Sequence, residues 1–174
     1  MKVILAPAVT VDGFLADLNG DCYSWISPAD EARYNKKRRE IGCELVGRKT
    51  YEQYKDSYDT QADATIYVYT SRTSYADSER VKFIGGDIHM ALARIESDGF
   101  VAALVSGGGE LNGMLASAGV LSEIFLSYHP LTLGEGIPLF GSYSPRLTLE
   151  LLSLNQDAPG IVQHHYRVVT GQSL

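Results

Sequence analysis

The sequence has few cysteines, and they lie far apart. Cys22 and Cys43 are the only two in 174 residues, and no Cys-x-x-C pair occurs. A disulfide framework needs several cysteines, and a structural zinc site needs closely spaced cysteine and histidine ligands. We therefore expect neither a disulfide-stapled fold nor a metal site, and we expect a reducing, cytoplasmic environment.

Long apolar runs and net positive charge are also missing. The apolar stretch that begins at Val3 contains Pro7 and is soon followed by Asp12. It is too short to span a membrane and is interpreted as a first core strand rather than a signal peptide. The chain has 15 Lys and Arg against 21 Asp and Glu, for a formal net charge of −6. This balance argues against nucleic-acid binding and against binding to anionic membranes.

What the sequence does contain is a regular alternation of strand-like and helix-like segments. Strands are predicted at residues 3–11, 44–47, 65–70, 81–84, 101–105 and 123–128. Helices are predicted at residues 27–41, 51–54, 87–96 and from 110 onward. Residues 56–63 are predicted to be a polar loop, and the Gly- and Pro-rich residues 131–143 are also predicted to be a loop. Two strands, 147–154 and 162–169, end the chain as an antiparallel pair. The pattern predicts one α/β domain over residues 1–174, with a mainly parallel sheet, helices on both faces and antiparallel strands at the C-terminal end.

The most distinctive segment joins a predicted strand to a helix through three consecutive glycines. Ser106 ends the strand, residues 107–109 are Gly-Gly-Gly, and the helical pattern opens at Glu110. Backbone N–H groups in such a turn can approach a phosphate closely, although a tight turn without a ligand fits equally well. Asn112 stands where a Rossmann fingerprint would have its last glycine, and no P-loop lysine follows.

Two further strand ends carry cations and hydroxyl groups. Residues 47–50 read Gly-Arg-Lys-Thr at the start of a helix, and residues 70–72 read Thr-Ser-Arg. Cations at a helix N-terminus oppose the helix dipole, so a bound phosphate would explain them, while a solvated helix start is the alternative. Because ligands bind open α/β sheets at the carboxyl ends of strands, the three strand ends together suggest one extended polyanion, such as a dinucleotide.

A carboxylate and an aromatic ring share one face of the first predicted helix. Asp30 and Tyr34 are separated by four residues, which places them on the same side. An acid beside an aromatic plane suits a flat, nitrogen-containing ring. Asp30 is also where an acid belongs in a capping box, three residues after Ser27, so both roles stay open at this point.

Six segments of the sequence form a recognisable series: 8–16 (AVTVDGFLA), 25–30 (WISPAD), 47–52 (GRKTYE), 70–72 (TSR), 106–111 (SGGGEL) and 129–140 (HPLTLGEGIPLF). In this order they resemble the dihydrofolate reductase-like superfamily, and in particular the reductase domain of riboflavin biosynthesis, the RibD C-terminal domain family. The resemblance implies the dihydrofolate reductase-like fold, NADPH as cofactor, a small-molecule substrate and, from the riboflavin branch, a homodimer.

The resemblance also implies roles for individual residues. The nicotinamide end of the cofactor is assigned to Ala8, Leu15 and Ala16. Its phosphates are assigned to Gly47, Arg48, Lys49, Thr50, Gly107, Gly108, Gly109, Glu110 and Leu111. The region of the adenosine ribose is assigned to Ser71 and Arg72, where a cation favours NADPH over NADH. Asp30 matches the active-site acid, and the substrate pocket is assigned to Trp25, Tyr34 and Tyr128.

The chain departs from the family pattern on the substrate side. Folate reductases need an arginine shortly before the strand at residues 65–70, and residues 56–64 contain none. The deaminase domain that often accompanies riboflavin-pathway reductases is not in this sequence. The sequence therefore predicts hydride transfer from NADPH to a small pterin- or pyrimidine-like heteroaromatic or a carbonyl compound. A non-catalytic nucleotide-binding or regulatory protein on the same fold is the alternative.

Overall fold

The computed structural model describes residues 1–60 and 63–169. Its strands are β1 (Lys2–Leu5), β2 (Ala8–Thr10), β3 (Phe14–Ala16), β4 (Cys43–Gly47), β5 (Thr65–Tyr69), β6 (Val81–Ile84), β7 (Ala102–Gly107), β8 (Glu123–His129), β9 (Ile137–Pro138), β10 (Thr148–Ala158) and β11 (Ile161–Val169). Its helices are α1 (Pro28–Ile41), α2 (Arg48–Gln53), α3 (Lys55–Thr60), α4 (Ile88–Ser97) and α5 (Gly109–Ser117).

One large sheet organises the molecule. Its strand order is β10-β11-β8-β1-β7-β4-β5-β6, and β2 pairs with β8 beside the end of β1. The strands from β8 to β6 run parallel, whereas β11 pairs antiparallel with β8, and β10 pairs antiparallel with β11. The prediction of a mainly parallel sheet with antiparallel strands at the C-terminal end is confirmed. A separate antiparallel pair joins β3 to β9.

Three local predictions were wrong. The apolar run at residues 3–11 forms two strands rather than one, with a break at Pro7, which has no N–H to donate to a neighbouring strand. Residues 55–60 form helix α3 instead of a loop, and that helix buries the Tyr58 side chain. The Gly- and Pro-rich segment at 131–143 contains the short strand β9.

The two faces of the sheet differ in chemistry, because alternate residues of a strand point to opposite sides. Cys43 and Leu45 of β4 point into the main apolar core, where they pack with buried residues of α4 and α5 such as Ile95 and Leu115. Glu44 points to the other face, which α1 covers. Apolar burial on the first face is the main source of stability.

Helix α1 is well defined although its sequence is strongly polar. Ser27 caps it by accepting a hydrogen bond from the backbone N–H of Asp30, Pro28 occupies its first turn, and Gly42 ends it with φ of +72°. Its buried side chains are Asp30 and Arg38 rather than apolar ones. Hydrogen bonds and ion pairs, more than apolar contact, therefore join α1 to the sheet. No helix within the described ranges has the length and apolar content needed to cross a membrane.

Candidate functional site

A large cavity lies between α1 and the carboxyl ends of the central strands. Its volume is about 850 Å³, in the range of pockets that hold small molecules or cofactors. One wall is formed by α1, and the opposite wall by the ends of β4 and β7 with the first turns of α2 and α5. Residues of β2 and β3 and the segment that follows β3 close one end.

Most of the residues predicted to contact a cofactor line this cavity. They are Ala8, Leu15, Ala16, Gly47, Arg48, Lys49, Thr50, Gly108, Gly109, Glu110 and Leu111. Three others, Ser71, Arg72 and Gly107, do not line it. Gly107 ends β7 with φ of +98°, a conformation that favours glycine, and the peptide bond between Gly107 and Gly108 is cis.

Two glycines form a surface without side chains where β4 and β7 end. A Cβ atom on Gly108 would lie 3.0 Å from Thr50 Oγ1, and one on Gly47 would lie 3.5 Å from the carbonyl oxygen of Gly107. Gly47 and Gly108 are also the N-cap residues of α2 and α5, and neither helix has a side-chain cap. The N–H groups of both first turns therefore have no capping side chain, and such groups at a helix N-terminus favour anions.

A shared carboxylate links two of the three predicted strand ends. Glu52 forms an ion pair with Arg48 and lies 3.4 Å from Arg72 Nη1. The Arg72 side chain is 57% exposed and sits outside the cavity lining. The segments at 47–50 and 70–72 are thus neighbours, as the sequence predicted, with Arg72 at the solvent side.

The Asp30 side chain points toward the sheet rather than back to the helix cap. Its Oδ1 accepts hydrogen bonds from the Arg33 guanidinium and, over 2.9 Å, from Ser127 Oγ. Gln163 Nε2 donates to Ser127 Oγ over 3.0 Å, and Asp30 lines the cavity. Since Ser27 accepts from the backbone N–H of Asp30, the helix cap does not use the Asp30 carboxylate, which Arg33 and Ser127 hold in the cavity.

A second acidic side chain lies in the same cavity. Glu44 is 1% exposed and lines the cavity, and the Tyr34 hydroxyl donates to its Oε1 over 2.8 Å. Burial raises the pKa of the Glu44 carboxyl, and burial also holds the Tyr34 pKa well above its usual value. Sequence analysis did not identify Glu44; the available signal was a single charged residue inside the otherwise apolar strand β4.

Two residues predicted to contact substrate are packed elsewhere. Trp25 meets the His129 ring edge-on with centroids 5.2 Å apart, and Tyr128 lies against His164 at 5.3 Å. Neither Trp25 nor Tyr128 lines the cavity. His129 is buried, and its Nε2 accepts from the backbone N–H of Ser27 over 3.2 Å, so the Trp25 and His129 pair supports the start of α1. Burial lowers the His129 pKa.

The family model described as the RibD C-terminal domain matches residues 1–163 of the chain. Among curated proteins, the chain is 28% identical over 177 residues to the uncharacterized protein YyaP of Bacillus subtilis (strain 168), a match that covers 95% of this chain and 94% of YyaP.

Solved structures with low sequence identity share the fold. A putative riboflavin biosynthesis protein from Shewanella sp. PV-4 superposes with a TM-score of 0.82 at 19% identity, and the match covers 97% of this chain and 99% of that one. Dihydrofolate reductase from Enterococcus faecalis, complexed with NADP(H) and RAB-propyl, superposes with a TM-score of 0.73 at 19% identity, covering 96% of each chain. These structures support a dihydrofolate reductase-like fold for the chain.

Proposed function

Because the chain belongs to the RibD C-terminal domain family, we propose that it is an NADPH-dependent reductase of a small heteroaromatic or carbonyl compound. The observation that carries the proposal is the cavity of about 850 Å³. Its lining includes Gly47 and Gly108 with the first turns of α2 and α5, here called the glycine wall, and also helix α1 with Asp30. A dinucleotide bound along the glycine wall would leave room for the ring of a substrate beside α1. The substrate in this proposal is pterin- or pyrimidine-like, or a carbonyl compound.

The glycine wall would hold the cofactor phosphates. Arg48, Lys49 and Thr50 would add two cations and a hydroxyl to the N–H groups of α2 and α5. Arg72 would reach the adenosine end, where a 2′-phosphate distinguishes NADPH from NADH. Bound NADPH would supply the hydride. The complex of the Enterococcus faecalis enzyme with NADP(H) supports this assignment.

The α1 wall would position the substrate. Asp30 would accept hydrogen bonds from ring N–H groups, and the Arg33 guanidinium beside it would fix its orientation. Tyr34 would pack against the ring one helical turn further on. The protein's contribution is therefore to place the acceptor atom next to the nicotinamide and to exclude water from the reaction.

Thermal unfolding with and without NADPH tests the cofactor assignment. A ligand at a hundredfold excess over its Kd stabilises a protein by about 2.7 kcal/mol. For a chain of this size that corresponds to a rise in Tm of roughly 5–10 °C. Lys49→Ala should reduce the rise, while Lys36→Ala, on an exposed part of α1 outside the cavity, should not. No shift of the wild type at millimolar NADPH would refute the proposal.

Catalysis needs a second test. NADPH oxidation should be followed by the loss of reduced-nicotinamide absorbance, with pterins, pyrimidines, flavins and quinones offered as substrates. Turnover that falls in Asp30→Asn while the NADPH-induced Tm rise persists would support the reductase. Binding of NADPH without turnover of any of these compounds would favour a nucleotide-binding or regulatory protein instead.

We also propose that the protein forms a homodimer through β10. This strand lies at the edge of the sheet and exposes Leu151 at 53% and Leu154 at 56%. An exposed apolar edge strand is a ready site for pairing with a second copy. Light scattering should show a dimer that Leu151→Asp shifts toward monomer; a monomeric wild type would refute this assignment.

A further inference from the structure

Glu44 has an unusual position for a charged residue. It lies in the middle of the sheet, on β4, and its Oε2 is buried without a hydrogen-bond partner among the described residues. The nearest cation, Arg38, keeps its Nε 3.9 Å from that oxygen, and this Nε also has no partner there. Arg38 instead donates through Nη2 to Asp63. Asp30, by contrast, is paired with Arg33 in the same cavity.

Hydroxyl groups, more than cations that would balance a carboxylate charge, surround Glu44. Tyr34 Oη donates to Oε1 over 2.8 Å, and Tyr58 Oη lies 3.2 Å from Ser106 Oγ on the neighbouring strand β7. The titratable and charged groups that face Glu44 are Tyr34 and Arg38 of α1, Tyr58 of α3, Asp63 after α3 and Tyr23 of the segment before α1. Burial of the carboxyl among these groups favours its neutral, protonated form.

We propose that Glu44 holds the proton that the substrate takes up during reduction, and that this proton reaches the substrate through the Tyr34 hydroxyl. This inference rests on the proposed reductase function. Tyr34 would be the catalytic residue, because it lies on α1, where the substrate is proposed to bind, and its hydroxyl contacts Glu44. Glu44 would act through Tyr34 and is a positioning residue that stores the proton.

The step balances in protons and electrons. A substrate carbon gains the hydride with its electron pair, the π pair of the C=N or C=O bond moves to the nitrogen or oxygen, and NADPH is oxidised to NADP⁺. The nitrogen or oxygen then takes the proton of the Tyr34 O–H group. For this transfer the Tyr34 O–H group turns from Glu44 Oε1 to the substrate, and a protonated Oε1 donates to Tyr34 Oη across the same 2.8 Å contact. That Oε1–H bond then breaks to reprotonate Tyr34, and the Glu44 carboxylate is later reprotonated from solvent.

Infrared spectroscopy of the whole protein tests whether Glu44 stores a proton. The expected result is a C=O stretching band of a protonated carboxyl at pH 7 that disappears in Glu44→Gln. The band should persist in Glu123→Gln, since Lys2 and His165 bind that carboxylate and help to keep its pKa below the usual value. Absence of the band from the wild type at pH 7 would overturn the inference.

Exchange of that carboxyl proton in D₂O tests the route through Tyr34. Tyr34→Phe keeps the ring but removes the hydroxyl, so the band should shift to its deuterated position at least about tenfold more slowly, since a lost proton-transfer group typically costs 10²–10⁴-fold. Unchanged exchange would remove Tyr34 from the route. In turnover, Glu44→Gln should lower kcat more than it changes KM.

The NADPH-induced Tm rise separates the two proposals. If NADPH does not stabilise the wild type, the proposed reductase function fails. If NADPH stabilises both wild type and Glu44→Gln, but Glu44 is ionised at pH 7, only the proton-storage inference fails.

Discussion

Replacing Gly113 by alanine tests how closely α5 is seated on the segment that follows β9. A Cβ atom at Gly113 would lie 2.3 Å from the carbonyl oxygen of Phe140 and 2.6 Å from both Cβ and Cδ2 of Tyr143. That segment is also held by Asn112, whose Nδ2 donates to the carbonyl oxygen of Leu139 over 3.0 Å. The added methyl group must therefore displace backbone, not only a flexible side chain.

Two opposing terms set the size of the effect. Alanine stabilises a helix interior by about 1 kcal/mol relative to glycine. Overpacking costs about 1–3 kcal/mol, and the backbone contact at Gly113 places this site at the upper end. We expect Gly113→Ala to lower the free energy of unfolding by about 1–2 kcal/mol and the Tm by roughly 2–8 °C for a chain of this length.

Urea unfolding of the wild type and of two α5 variants provides the measurement. Ser117→Ala places alanine on the exposed end of the same helix and should change stability by less than about 0.5 kcal/mol. A Gly113→Ala protein as stable as the wild type, or more stable, would show that the segment yields without cost. The close contact of α5 with Phe140 and Tyr143 would then not limit which residue can stand at position 113.

Three further outcomes follow from buried polar groups. Asn112→Ala should cost about 1–3 kcal/mol in urea unfolding, because the carbonyl oxygen of Leu139 loses its donor; a neutral result would contradict the hydrogen bond. Stability of the wild type should fall as pH rises above 4.5, the usual glutamate value, toward the raised folded pKa of Glu44, whereas Glu44→Gln should not show that loss. A pH-independent difference between the two proteins would count against a buried neutral acid. Cys43 is fully buried and burial raises its pKa to about 12, so mass spectrometry should find it alkylated only after unfolding.

The sheet could be predicted because its signals are local. β-Branched and aromatic residues mark strands such as β5, and Ser27, Pro28 and Gly42 mark the ends of α1. Helix α3 was missed because its polar sequence has weak intrinsic helix preference. What orders α3 is the burial of Tyr58, a tertiary contact that no local pattern reveals.

The lining of the cavity by the glycine wall was easier to predict than the contacts of α1. Glycines, cations and hydroxyls at strand ends can be placed from the fold alone, because the carboxyl ends of parallel strands lie at one edge of the sheet. Residues 47–50 and 108–111 do line one cavity. The partners of Asp30 come from β8 and β11, far away in sequence. Glu44 shows the same limit, since its role depends on the residues of α1 that happen to cover it.

The hydrogen bonds and ion pairs that join α1 to the sheet have a consequence for how this protein could evolve. The apolar core against α4 and α5 lies on the opposite face of the sheet, so exchanges on the inner side of α1 leave that core untouched. The lining of the cavity on the α1 side can therefore change while the apolar core stays intact. Asp30 and Arg38 are buried charged residues that join α1 to the sheet, so replacing either one alone leaves its partner unpaired and destabilises the fold. Libraries on this side should therefore vary each of them together with its partner, Arg33 or Asp63, to keep a large folded fraction.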